Sequence, residues 1–207
     1  MTLQLYWSPG ACSFVPHVAL EAAKAEFEPK LVKLHRGEQR APEYLALNPN
    51  AQVPVLVVDG QPLTQIVAIC HFLDHRFPDA GFLPKDPWSR AQALSQLAWM
   101  NSTPHTTMTR VFFPERYADS EAARQEVKQR AAQDFRGYLE RVQSMLPQMR
   151  GWFHEAYAFT LLRWGGFAGV DPGSLPDYKA HVEKAMQTPP FRAALARERI
   201  GLDTYKG

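Results

Sequence analysis

The chain has 207 residues, 45% hydrophobic and 21% charged, enough for one large or two small globular units. A net charge of +2 with no dense Lys/Arg block gives no electrostatic case for nucleic acid or an anionic membrane. No apolar run reaches the ~20 residues that span a bilayer, no basic-then-apolar N-terminal stretch predicts secretion, and with Cys12 and Cys70 as the only cysteines a disulfide framework is not expected, so a cytoplasmic protein is.

In chain order, Leu3 to Trp7 reads as a strand. Ser13 to Ala25 reads as a helix with Pro16 in its first turn, where a missing N–H costs little. Lys30 to Leu34 is a second expected strand, and Pro42 to Leu47 a short helix ended by Asn48-Pro49-Asn50. Val55 to Val58 and Gln61 to Leu63 form a hairpin about Asp59-Gly60. Gln65 to Phe77 is a helix with the stripe Ile66, Ile69, Cys70, Leu73 and Phe77. The remainder reads as helical. A long helix after Asp86-Pro87 runs toward Tyr117 with a bend expected at Pro104. Another is capped by Ser120 and carries the stripe Phe135, Leu139, Val142 and Leu146. An apolar central helix covers Tyr157 to Phe167, and two more lie around Tyr178 to Met186 and Phe191 to Glu198. The expected order is β-α-β-α-β-β-α over residues 1–78, a linker at 79–87, and an all-α unit over 88–207.

The stretch Tyr6-Trp7-Ser8-Pro9-Gly10-Ala11-Cys12-Ser13 puts a thiol where a strand turns into a helix. Unpaired N–H groups and the positive end of the macrodipole favour a thiolate there. A lowered pKa and a reactive Cys12 are therefore expected, against the alternative of a buried cysteine acting as a small hydrophobe.

This arrangement resembles the glutathione transferases, and among them the bacterial beta class, which has a cysteine at this position. The segments that carry the resemblance are Ser8 to Ser13 with Pro16-His17, Tyr44 to Pro49, Gln52 to Leu56, Leu63 to Ile69, and Leu161 to Trp164 with Gly169 to Asp171. The resemblance implies a thioredoxin-like N-terminal domain and a helical C-terminal one. It implies glutathione as co-substrate, with no permanently bound cofactor or metal, a small apolar electrophile as second substrate, and a homodimer. Val53-Pro54 matches the family's cis-proline site, where backbone groups of the preceding residue pair with glutathione's cysteinyl part like an added strand. Gln52 lies in the same segment. Gln65 and Ile66 match the pair receiving the γ-glutamyl end at a helix N-terminus. Arg36 lies near a family lysine that reaches glutathione, and His105 matches a histidine near its sulfur. Cys12 then has two roles open to it, a mixed disulfide with glutathione or a hydrogen bond to its thiolate, with Ser13 as the second candidate donor.

Three positions depart from the family pattern. Ile66 replaces a serine whose hydroxyl binds the glutamyl carboxylate, a loss of ~1.5–3 kcal/mol if nothing compensates. Thr106 stands where a lysine often follows the histidine. In Gly151 to Tyr157, Trp152 replaces the capping hydroxyl of a Ser/Thr-x-x-Asp box, and Glu155 falls near the aspartate. These departures favour a rival reading, a binding or regulatory protein without turnover; Cys12 with His105 favours an enzyme. His71 and His75 at i, i+4 lack the remaining ligands of a metal site, and no phosphate-cradling or dinucleotide motif is present.

Overall fold

The computed structural model of the chain describes residues 1–202. Strands β1 (Leu3–Trp7), β2 (Glu28–Leu31), β3 (Val55–Val58) and β4 (Gln61–Thr64) form one sheet in the order β2-β1-β3-β4. β1 and β2 run parallel, while β3 is antiparallel to both β1 and β4. The second strand lies earlier than its expected place, and Leu34–Arg36 is instead a 3-10 turn. Pro29 is tolerated because β2 is an edge strand, and Pro62 sits on the other edge.

The period of two divides the sheet's faces. Leu3, Leu5, Trp7 and Leu56 pack into the main core, under helices α1 (Phe14–Ala22) and α3 (Ile66–Arg76). Val53, Val55 and Val57 pack on the opposite face with Tyr44 of the short helix α2 (Pro42–Leu45). Helix α1 ends three residues before the expected Ala25. Lys24 turns left-handed at φ 52°, Ala25 N–H donates to Leu20 O and Lys24 N–H to Glu21 O, which satisfies the last carbonyls.

The helical half comprises α4 (Pro87–Ser102), α5 (Pro104–Phe112), α6 (Glu121–Met145), α7 (Trp152–Gly165), α8 (Pro176–Met186) and α9 (Pro189–Glu198). Asp86 caps α4 by accepting from Ser89 N–H at 2.8 Å, and Ser120 caps α6 by accepting from Ala123 N–H at 3.2 Å. The bend expected at Pro104 is a full break, with α4 ending at Ser102. Helix α7 is buried on every side from Phe153 to Gly165 except at Glu155, as a central helix must be.

The altered capping segment has a physical explanation. Gly151, not Trp152, is the N-cap of α7, at φ 91°. A side chain there would place its Cβ 1.9 Å from the carbonyl oxygen of Phe82, so the close approach of the two backbones holds this position to glycine and α7 starts without a side-chain cap. Glycine at this position costs only a few tenths of a kcal/mol relative to serine, on the order of other caps. Glu155 turns to α8, with Oε2 2.7 Å from His181 Nε2.

Candidate active site

A cleft of about 500 Å³ separates the sheet-bearing half from the helical half. It brings Cys12, Gln52, Val53, Pro54, Gln65, Ile66 and His105 together. Two expected members do not line it. Arg36 is one; the irregular turns after β2 present His35, Gln39 and Arg40 instead. Ser13 is the other. Its hydroxyl is fully buried, accepts from Ser8 N–H at 3.1 Å and donates to Ser8 O at 3.3 Å, so it closes the turn before α1.

The Val53-Pro54 peptide is cis. Asn48 Nδ2 and the Tyr44 hydroxyl both donate to Gln52 O, at 2.7 and 2.8 Å, and hold this segment in place. Cys12 Sγ donates to Val53 O at 3.4 Å. The expected acidic thiol is corrected here. Burial pushes Cys12 up to about 12, outweighing the backbone hydrogen bonds of Cys12 and Ser13 that pull it down. Cys12 in this state is a protonated donor. Cys70 is a core residue on the α3 stripe, and burial raises its thiol as well.

Gln65 takes φ 71° at the head of α3, with no side-chain cap on the helix. The first N–H groups of α3 therefore have no side-chain acceptor at the helix head. Ile66 is buried in the main core while also reaching the cleft wall. Gln39 Oε1 is shielded from solvent and has no hydrogen-bond partner among the described residues.

On the helical side, His105 Nδ1 lies 2.6 Å from the Tyr157 hydroxyl, which donates to Asn101 Oδ1 at 3.1 Å. With the tyrosine proton on Asn101, Nδ1 carries the hydrogen of that contact and Nε2 is the lone-pair nitrogen. Burial pushes His105 down to about 4, so the ring is neutral at ordinary pH. Its edge meets Trp164 at 5.0 Å between centroids. Phe112 stands edge-on to Trp164 at 5.6 Å and to Phe167 at 5.1 Å, giving this end of the cleft an aromatic wall.

The loop carrying Cys12 is clamped from the helical half. Trp164 Nε1 and Arg163 Nη1 donate to Gly10 O at 2.9 and 3.4 Å, and Gly10 N–H donates to Glu198 Oε2 at 2.9 Å. Glu198 Oε1 lies 2.8 Å from Nδ1 of His17, and both side chains are fully buried. Burial raises the Glu198 carboxyl, while His17, Gly10 N–H and Arg163 pull it down. Gly10, at φ 65°, is required because a Cβ would come within 2.0 Å of the Arg163 guanidinium. Sequence reasoning missed Tyr157, Glu198 and Arg163. A carboxylate and an arginine within apolar helical patterns were the available signal, since such groups are buried only when partnered.

Comparisons with known proteins identify the relatives of this chain. Residues 1–75 match the family model "Glutathione S-transferase, N-terminal domain". Glutathione S-transferase GST-4.5 of Xanthomonas campestris is 33% identical over 205 residues, covering 95% of this chain and 98% of its own. A glutathione S-transferase structure from Xylella fastidiosa superposes with a TM-score of 0.87 at 29% identity, covering 96% of this chain and 100% of that one. A sphingomonad glutathione S-transferase complexed with glutathione gives a TM-score of 0.81 at 29% identity, with 96% and 100% coverage. The chain belongs to the glutathione S-transferase family.

Proposed function

We propose that the protein is a glutathione transferase that activates the glutathione thiol for conjugation to an aromatic electrophile, with Cys12 as hydrogen-bond donor. The observation that carries this reading is the 3.4 Å contact between the Cys12 thiol and Val53 O at the cleft. A cysteinyl moiety paired with the Val53 backbone brings its sulfur beside Cys12. The Cys12 proton then turns from the carbonyl to that sulfur, and Val53 O is released to accept the cysteinyl N–H. A donor stabilises thiolate over thiol, which readies glutathione as nucleophile. A thiol raised to about 12 is a poor nucleophile at neutral pH, which favours conjugation over a mixed disulfide.

The roles follow from position. The free N–H groups of α3 and the Gln65 side chain receive the γ-glutamyl end, so Ile66 contributes its backbone in place of the family's hydroxyl. Arg40 and His35 face the glycine carboxylate, with Gln52 and Pro54 lining the path between. His105 accepts at Nε2 from the incoming thiol. Residues 1–78 act as the glutathione-binding unit, 79–87 as linker and the helical remainder as the electrophile-binding unit. A homodimer in the cytoplasm completes the proposal; no helix among the described residues is long and apolar enough to cross a membrane. The rival non-catalytic reading is weakened because backbone groups can take over from the serine hydroxyl that Ile66 lacks.

Calorimetric titration with reduced glutathione tests this directly, alongside ultraviolet detection of bound thiolate as pH varies. Binding at millimolar or tighter is expected, with a bound-thiol pKa that rises in Cys12→Ala. No heat at several millimolar would overturn the reading. Fast alkylation of Cys12 at neutral pH would restore the exchange mechanism.

A further inference from the structure

We infer that the electrophile carries a negative charge as well as a flat aromatic ring, and that Arg116 recognises that charge. The inference rests on the glutathione reading above and assigns the chemistry of its second substrate.

The aromatic end of the cleft is shaped for a flat ring. Phe112 meets Trp164 and Phe167 nearly edge-on, at 88° and 81°, so aromatic side chains line this end of the cleft. Phe113 and Phe167 are 39% and 45% exposed, a large aromatic surface held in water. Such surface at a cleft mouth marks a ligand wall better than a random surface residue.

Charge adds the second element. Among the described residues no Asp or Glu lines the cleft, whereas Arg40, Arg116, Arg163 and His35 do. Glutathione has two carboxylates, and both are provided for on the sheet side, by the N-terminus of α3 and by Arg40 with His35. Arg163 is committed to the carbonyls of Gly10 and Gly201. Arg116 remains. It stands on the 3-10 turn Pro114–Arg116 that follows α5, with its guanidinium 4.2 Å over the Phe113 ring. The ion pairs among the described residues do not include it. A guanidinium stacked on an aromatic face still directs its N–H edge outward, in the planar fork that suits a carboxylate. A neutral apolar guest would gain nothing from it. A ring bearing a carboxylate would stack on the phenylalanines and meet the fork at its edge.

The test uses two aryl chlorides, neutral 1-chloro-2,4-dinitrobenzene and anionic 4-chloro-3,5-dinitrobenzoate. In each, glutathione's sulfur bonds to the chlorine-bearing carbon, the carbon–chlorine bond breaks, chloride leaves with the electron pair, and the thiol proton passes to solvent. Their kcat/KM values are compared in the wild type, Arg116→Gln and Arg116→Lys. The anionic-to-neutral ratio should fall about tenfold in Arg116→Gln, equivalent to ~1.4 kcal/mol, and be largely kept in Arg116→Lys. A ratio unchanged in Arg116→Gln overturns the inference and leaves the transferase reading standing. A glutathione KM that rises equally with both chlorides assigns Arg116 to glutathione and also overturns it. If neither chloride is conjugated, the transferase reading fails. The inference is then decided by quenching of tryptophan fluorescence with 3,5-dinitrobenzoate against 1,3-dinitrobenzene. Weaker binding of the benzoate alone in Arg116→Gln supports it, and equal binding in both proteins overturns it.

Discussion

The two walls of the cleft are built from different materials. The sheet-bearing wall adds backbone groups to its side chains: the Val53 carbonyl, the uncapped N–H groups of α3 and the turn that holds Cys12. The helical wall presents side chains, among them His105, Trp164 and Arg116. Backbone groups depend on the path of the chain and tolerate a change of side chain, so the proposed glutamyl site does not require a hydroxyl at Ile66. Side-chain groups depend on identity and on partners deep in the helical core, such as Tyr157 for His105. Glu198 couples the two by joining Gly10 of one wall to α9 behind the other.

That coupling gives the largest expected effect. Glu198→Ala strands the Gly10 N–H and the His17 ring without an acceptor in a dry interface, a cost of about 3–5 kcal/mol. Urea unfolding should show it, with Glu198→Gln losing less because it keeps shape and an acceptor. A loss below about 1 kcal/mol would mean that the walls are independent.

Next is the pH response of the helical wall. His105 titrates near 6.5 when unfolded and about 4 when folded. Between these values the unfolded chain binds the extra proton, so this contribution is complete above pH 6.5 and is lost as pH falls toward 4. It amounts to at most about 3 kcal/mol. Buried His154 is lowered too and acts in the same direction. Unfolding midpoints from pH 7 to 4 should therefore fall less steeply in His105→Gln than in the wild type, and parallel curves would contradict the assignment.

On the sheet wall, Ile66→Ser sharpens the distinction between backbone and side-chain supply. Adding the hydroxyl should tighten glutathione binding about tenfold or more, while removing buried apolar surface should lower stability by roughly 1–3 kcal/mol. Unchanged affinity in calorimetry would show that the N–H groups of α3 already saturate the carboxylate. The smallest effect concerns the two arginines. Arg40→Ala should weaken glutathione binding by a factor on the order of five, as for an exposed charge, whereas Arg36→Ala should leave the dissociation constant as it is. The reverse result would place the ligand on the other side of the 3-10 turns.

Much of this architecture was legible because its causes are local. The alternation in β1, the short apolar run of β3, the 3.6-residue stripes of α3 and α6, and the caps at Asp86 and Ser120 each depend on residues within a few positions of one another. The positions of Cys12, Val53, Gln65 and His105 in one cleft followed from motif order and the family resemblance it carries. The segment from Val32 to Ala41 was not legible, since two 3-10 turns have no hydrophobic period, and so Arg36 was expected where Arg40 stands. Nor was the state of the Cys12 thiol. A helix N-terminus acts within one turn and can be read from neighbours, but desolvation sums over every layer packed above the sulfur, including helices far along the chain. The same holds for the clamp on Gly10 and for the Tyr157 hydroxyl on His105. The elements, their order and the residue types available for thiol chemistry are written in the chain itself. Which of those side chains meet, and which are charged, arises only in the packed molecule, because burial and long-range hydrogen bonds exist only after the two halves have come together.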